Sequence, residues 1–109
     1  MIPVLLFAAP APVSEAQTIE ALIQAVADLQ GAVFLRNGSG HTPKEAAEHL
    51  RMKWKNAGRR VKTAQEFIQH FATGSSMSGQ PYEIRFKDGR TVLARDWLWT
   101  ELKRMQAKP

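Results

Sequence analysis

A chain of 109 residues has room for one domain with a single modest core. Its 44% hydrophobic and 23% charged residues are ordinary for a globular domain, and no apolar run reaches the ~20 residues that a helix needs to span a bilayer. The absence of cysteine excludes a disulfide framework, thiolate chemistry and a thiolate zinc site, while a net charge of +5 favours anionic partners if it does more than keep the protein soluble.

The chain opens on the apolar run Ile2-Pro3-Val4-Leu5-Leu6-Phe7-Ala8-Ala9, followed by Pro10, Pro12 and small residues. Ser14-Glu15-Ala16 fits the small-x-Ala pattern of a secretory cleavage site, so residues 1–16 read as a signal peptide and 17–109 as one mature domain starting at Gln17. Ala9-Pro10-Ala11 also fits, but Pro12 directly after the cut hinders cleavage there. No Lys or Arg precedes the run, and a basic stretch upstream of Met1 would complete the signal. The alternatives are a disordered apolar tail and an apolar arm that packs on the domain.

Ile19, Leu22, Ile23 and Val26 recur at helical spacing, predicting an amphipathic helix that ends near Gln30 with Gly31 as its stop. Ala32 to Leu35 read as a short buried strand, and Arg36 to Gly40 as a turn. Thr42-Pro43-Lys44-Glu45 is a capped helix start, after which Ala47, Leu50, Trp54 and Ala57 line one face as far as Gly58. Thr63-Ala64-Gln65-Glu66 repeats the capping pattern ahead of Phe67, Ile68 and Phe71. Thr73 to Gln80 form a Ser/Gly loop. Tyr82, Ile84 and Phe86 alternate with charged residues as a half-buried strand, Lys87-Asp88-Gly89-Arg90 turns it, and Thr91-Val92-Leu93 returns. A last helix runs from about Arg95 with Leu98, Leu102 and Met105 on one face. No internal repeat is evident in the sequence. The order α-β-α-α-β-β-α, with too few strands for a doubly wound sheet, predicts an α+β fold: an antiparallel sheet of about three strands covered by about four helices. Leu22, Ile23, Val26, Phe34, Leu50, Trp54, Phe67, Ile68, Phe71, Ile84, Val92 and Leu98 are its expected core.

Two segments carry candidate binding residues. In the turn, Arg36, Asn37, Ser39 and His41 bring a planar fork of donors and backbone amides of a glycine-rich connection toward an anion or carbonyl. The competing explanation is that Asn37-Gly38 simply turns, since both tolerate positive φ. The second segment is the basic run Arg51, Lys53, Lys55, Arg59, Arg60 and Lys62, which contains no acid. Cations near a helix C-terminus are also favoured locally by the macrodipole. The run has only Trp54 interleaved, on the core face, where single-stranded nucleic acid would want several aromatics for stacking. His41, His49 and His70 lack ligand spacing, so no metal and no cofactor is expected, and Glu45 with His49 reads as a surface pair. Ser39, Ser75, Ser76 and Ser78 sit in no nucleophile motif, so no catalytic residue is assigned and the protein is not expected to be an enzyme.

Four blocks together resemble the YfeK-like family of small exported proteins of Gram-negative bacteria: Phe34-Leu35-Arg36-Asn37-Gly38-Ser39, Glu45-Ala46-Ala47-Glu48-His49-Leu50-Arg51, Ser75-Ser76-Met77-Ser78-Gly79-Gln80-Pro81-Tyr82 and Asp96-Trp97-Leu98. The resemblance spans roughly residues 21–102. It implies a signal sequence and supplies no catalytic or binding residue. Members of the family often carry cysteines at the places held here by Ala32 and Phe86. If that pair bridges in relatives, the resemblance implies that residues 32–35 lie beside 82–86 in one sheet, with the two Cα atoms within ~7 Å.

The expected function is therefore that of a non-enzymatic periplasmic binding or interaction protein, inhibitor- or immunity-like in kind. It would use the strand-turn-helix surface at 36–41 and the basic helix end against a protein or an anionic cell-envelope polymer. The alternative is a small cytoplasmic nucleic-acid-binding protein that acts through residues 51–62.

Overall fold

Three of the four α-helices among the described residues begin with the same reciprocal cap. The structure is a computed structural model that describes residues 14–71 and 79–107. In α1 (Glu15–Ala27) the Gln17 N–H donates to Ser14 Oγ at 3.1 Å and the Ser14 N–H donates to Gln17 Oε1 at 2.9 Å. Thr42 and Glu45 repeat this exchange at the start of α2 (Pro43–Ala57), where Pro43 occupies the first turn. Thr63 and Glu66 repeat it at α3 (Ala64–Phe71). Each cap satisfies backbone donors that the helix leaves open, an effect of about 1 kcal/mol. The fourth helix, α4 (Ala94–Ala107), follows a strand directly.

Among the described residues, four short strands complete the fold: β1 (Val33–Arg36), β2 (Ser39–His41), β3 (Glu83–Arg85) and β4 (Thr91–Leu93). They form one antiparallel sheet in the order β2-β1-β3-β4. The α+β class and the sequence of predicted elements hold, with four strands where about three were expected. The added strand is β2. Asn37 (φ 53°) and Gly38 (φ 80°) compress the turn to two residues, so Ser39 pairs directly with Arg36. Positive φ at both central positions is the type I′ geometry that matches strand twist. The other hairpin differs. There Gly89 alone takes positive φ (94°), the Phe86 N–H donates to Arg90 O, and Lys87, Asp88 and Gly89 form a three-residue loop.

Register places one row across the inner face of the sheet: His41 opposite Phe34, Phe34 opposite Ile84, Ile84 opposite Val92. Val33 pairs with Arg85, Phe34 with Ile84 and Leu35 with Glu83, so residues 33–35 lie beside 83–85, and extending that register by one step would set Ala32 opposite Phe86. The helices cover this face. Phe67, Ile19, Leu22, Ile23, Ile68, Ile84, Leu98, Leu102 and Val26 are essentially inaccessible to solvent. Each such side chain contributes roughly 1.5–3 kcal/mol by burial. The expected core is buried except that Trp54, Phe71 and Val92 are only partly covered and pack against its edge. Trp54 and Phe71 each meet Phe67 edge-on, with ring centroids 6.4 and 6.2 Å apart.

The expected helix ends shift by a few residues. The first helix stops at Ala27, capped by Asp28, rather than near Gln30, because Gly31 (φ 74°) turns the chain only after an intervening non-helical step. At its other end, Ser14-Glu15-Ala16 is the start of α1, and Glu15 Oε1 accepts the Ala64 N–H at 2.8 Å, joining the starts of α1 and α3. The apolar run at the N-terminus and most of the Ser/Gly loop lie outside the described residues.

Candidate functional site

The row His41–Phe34–Ile84–Val92 is apolar except at its β2 end. There the sheet, α2 and α4 enclose a pocket of about 210 Å³. Phe34, Leu35, Ala46, Leu50, Ala94 and Leu98 form its apolar walls, and Arg36, His41, Glu45, His49 and Tyr82 carry its polar groups. The sequence brings these together simply. Strand alternation places Phe34 and Arg36 on one side of β1. Helical spacing places Glu45, Ala46, His49 and Leu50 on one face of α2.

Its polar groups are tied to one another. Arg36 Nη1 lies 2.8 Å from Nε2 and 3.1 Å from Nδ1 of His49, so whichever nitrogen keeps the ring's lone pair accepts from the guanidinium. Burial, and then the charges of Arg36, Lys53 and His41, push the His49 pKa below its ordinary value. A neutral ring is what such an acceptor requires. Lys53 Nζ donates to the Tyr82 hydroxyl at 2.8 Å and lies 5.1 Å from that ring's centroid. His41 Nδ1 is 3.9 Å from Glu45 Oε1, which already accepts the Thr42 N–H. His41 Nε2 is buried and has no hydrogen-bond partner among the described residues. An unpaired buried polar atom is costly, of order 1–3 kcal/mol, which makes it a point where a ligand gains.

Of the residues singled out from sequence, Arg36 and His41 reach this pocket, whereas Asn37 and Ser39 are exposed on the hairpin and line no part of it. The basic run does not form one surface. Arg51 Nη2 pairs with Glu20 Oε1 at 3.0 Å on the α1 side, while Lys53, two residues on, lies on the pocket side with Tyr82. A two-residue step turns a helix through more than half a circle. Lys55 is exposed beside Arg51, Arg60 Nε donates to Ala57 O at 3.3 Å, and the Arg59 side chain lies outside the described residues. Sequence reasoning placed His49 in a surface pair with Glu45. Instead its partner is Arg36, from an element 13 residues away in the chain. Tyr82 shows in the sequence only the alternation of a strand residue. The i, i+1, i+4, i+5 pattern Glu45-Ala46-His49-Leu50 was the available signal: two polar groups interleaved with an apolar pair on one face. Among the described residues, no group of three or more His, Asp or Glu is placed to hold a metal ion, and no helix is long and apolar enough to cross a membrane.

Residues 13–106 match the family described as a family of unknown function (DUF5329), and the chain belongs to that family. It is similar to the uncharacterized protein YfeK of Salmonella typhimurium, with 41% identity over 68 residues. That match covers 62% of this chain and 57% of the relative, under two thirds of its length. No solved structure matches.

Proposed function

We propose that this is a non-enzymatic binding protein of the periplasm, inhibitor- or immunity-like in kind, that takes an apolar group of its partner into the pocket between β2, α2 and α4. The pocket carries this reading. It joins apolar walls to a polar end containing Arg36, His41 and His49, the arrangement expected of a ligand site rather than of a packing defect. The partner is a protein or an anionic cell-envelope polymer, since the basic side chains around the pocket favour negative charge. The dispersal of Arg51, Lys53 and Arg60 among local partners weighs against the alternative, a cytoplasmic nucleic-acid-binding protein acting through residues 51–62.

Export rests on the N-terminal apolar run and on the family resemblance. Cleavage after Ala16 would strip the Ser14 cap from α1 and the Glu15 carboxylate from the start of α3. Fractionation of the native host and intact-mass measurement test this: a periplasmic chain beginning at Gln17 is expected, one retaining Ser14 would place the cut upstream of the α1 cap, and a cytoplasmic chain retaining Met1 overturns export. The binding role is tested with Ala46→Phe, which fills the pocket from α2. Wild-type protein purified from periplasm should retain a partner that the variant loses while keeping its circular dichroism spectrum. Equal retention by both would remove the pocket from the function.

A further inference from the structure

The pocket adjoins an open sheet edge. In the order β2-β1-β3-β4, β2 is paired with β1 on one side and with no strand on the other among the described residues. In a hairpin with a two-residue turn, the pair that flanks the turn exchanges both hydrogen bonds and the next pair exchanges none. Arg36 and Ser39 flank the turn, and Leu35 and Gly40 form the next pair. The Gly40 N–H and C=O therefore point away from β1, toward the open edge. On the other face, a Cβ at Gly40 would meet Val33 Cγ1 at 3.0 Å, so a side chain there requires Val33 to give way slightly.

We infer that the β2 edge and the pocket together receive the C-terminal residues of a polypeptide: its backbone pairs with Gly40, its last side chain is apolar and enters the pocket, and its terminal carboxylate accepts from Arg36 and His41. This rests on the binding role proposed above and specifies the partner's chemistry. Volume limits the side chain. An apolar cavity of about 150 Å³ holds one benzene, so about 210 Å³ takes one aromatic or branched side chain and little more. Charge sets the other end. Arg36 commits Nη1 to His49, and the remaining N–H groups of its fork have no hydrogen-bond partner among the described residues, a geometry suited to a carboxylate. His41 Nε2, buried and unpartnered, is a second point of attachment. The acid at the site, Glu45, is turned to the helix cap, with Oε1 accepting from the Thr42 N–H. An apolar side chain, an adjacent carboxylate and a strand-like backbone occur together at the end of a polypeptide chain. Strand addition supplies affinity and the pocket supplies selection.

The test uses a pentapeptide ending in phenylalanine, with either a free or an amidated C-terminus, titrated into the full chain and followed by amide NMR. The free-acid peptide should shift the Gly40 amide and bind about tenfold more tightly than the amide, the scale of one charge-assisted pair. Arg36→Gln should abolish that difference and Arg36→Lys should restore part of it. Equal binding of acid and amide overturns the carboxylate assignment and leaves an apolar pocket in place. Binding of free phenylpropanoate as tight as that of the peptide, without a Gly40 shift, overturns strand addition. If neither peptide binds, and Ala46→Phe changes partner retention in no way, the binding role itself fails with the inference.

Discussion

β1 and β2 run into α2 through Thr42, and β3 and β4 run into α4 with no intervening residue. Each half is a helix, a hairpin and a second helix, and the halves join where β1 pairs with β3. The sheet thus reads alike from either edge, a repeat of connectivity that the sequence does not display. The halves diverge at equivalent edge positions. Val92 stands opposite Ile84 in one, and His41 stands opposite Phe34 in the other. The second edge strand, Thr91-Val92-Leu93, is mostly apolar and half-covered, whereas the first, Ser39-Gly40-His41, is polar and borders the pocket. One architecture is closed by packing at one end and left open at the other. The site is thus a local departure in side-chain choice and requires no separate element.

The comparison breaks most visibly at the seam. Ile84 is inaccessible and touches both halves through Phe34 and Val92. Ile84→Ala should cost about 2–5 kcal/mol in urea denaturation with a single transition. Two separate transitions would show that the halves do not share a core. The seam can be sharpened by joining it covalently. Ala32→Cys with Phe86→Cys should oxidise spontaneously, since facing residues of antiparallel strands bring their Cα atoms to about 4.5–5.5 Å. The chain-entropy relation gives roughly 4 kcal/mol for such a loop, and lost Phe86 packing takes back part of it. Failure to form the bridge, measured by thiol titration, would refute the extension of the β1–β3 register.

A smaller effect is expected from making the open half resemble the closed one. His41→Val replaces the buried, unpartnered Nε2 with the side chain that the other edge uses. Stability should rise by about 1 kcal/mol while ligand affinity falls. A loss of stability would mean that His41 is held by its surroundings better than its missing partner suggests. The smallest effect is on pH dependence. His49 is depressed in the folded protein, so the unfolded chain binds the extra proton first as pH falls. Its contribution to stability is complete above its ordinary value of 6.5 and is lost progressively from there down to the folded value. The melting temperature should drop modestly between pH 7.5 and 5.5, and His49→Gln should flatten that drop. The carboxylates of Glu66 and Asp88, both held below their usual range chiefly by backbone N–H donors, act only at more acidic pH, where stability falls as they protonate.

Local rules were enough for much of this molecule. Thr42-Pro43-Lys44-Glu45 and Thr63-Ala64-Gln65-Glu66 specify helix starts within four residues, and Ile19, Leu22, Ile23 and Val26 specify a buried face by spacing alone. The family resemblance implies β1 beside β3 if the cysteine pair of relatives bridges, and the two strands are paired. Ser14-x-x-Gln17 is legible too, although the same residues also fit a cleavage site, and the hydrogen bond from the Ala64 N–H to the Glu15 carboxylate depends on a helix start 49 residues away. β2 escaped notice because three residues of Ser, Gly and His have little strand propensity. Pairing to β1 across a two-residue turn makes them a strand. His49 and Tyr82 were not identifiable as site residues because their partners, Arg36 and Lys53, are distant in sequence and meet them only when helices close over the sheet. Likewise the basic run looks continuous on paper and is divided in space, since a helix turns its successive side chains to different neighbours. Sequence alone determined caps, faces and class, which depend on residues within a few positions of one another. Tertiary packing decided the pocket, its charges and its open edge, which depend on what each face meets.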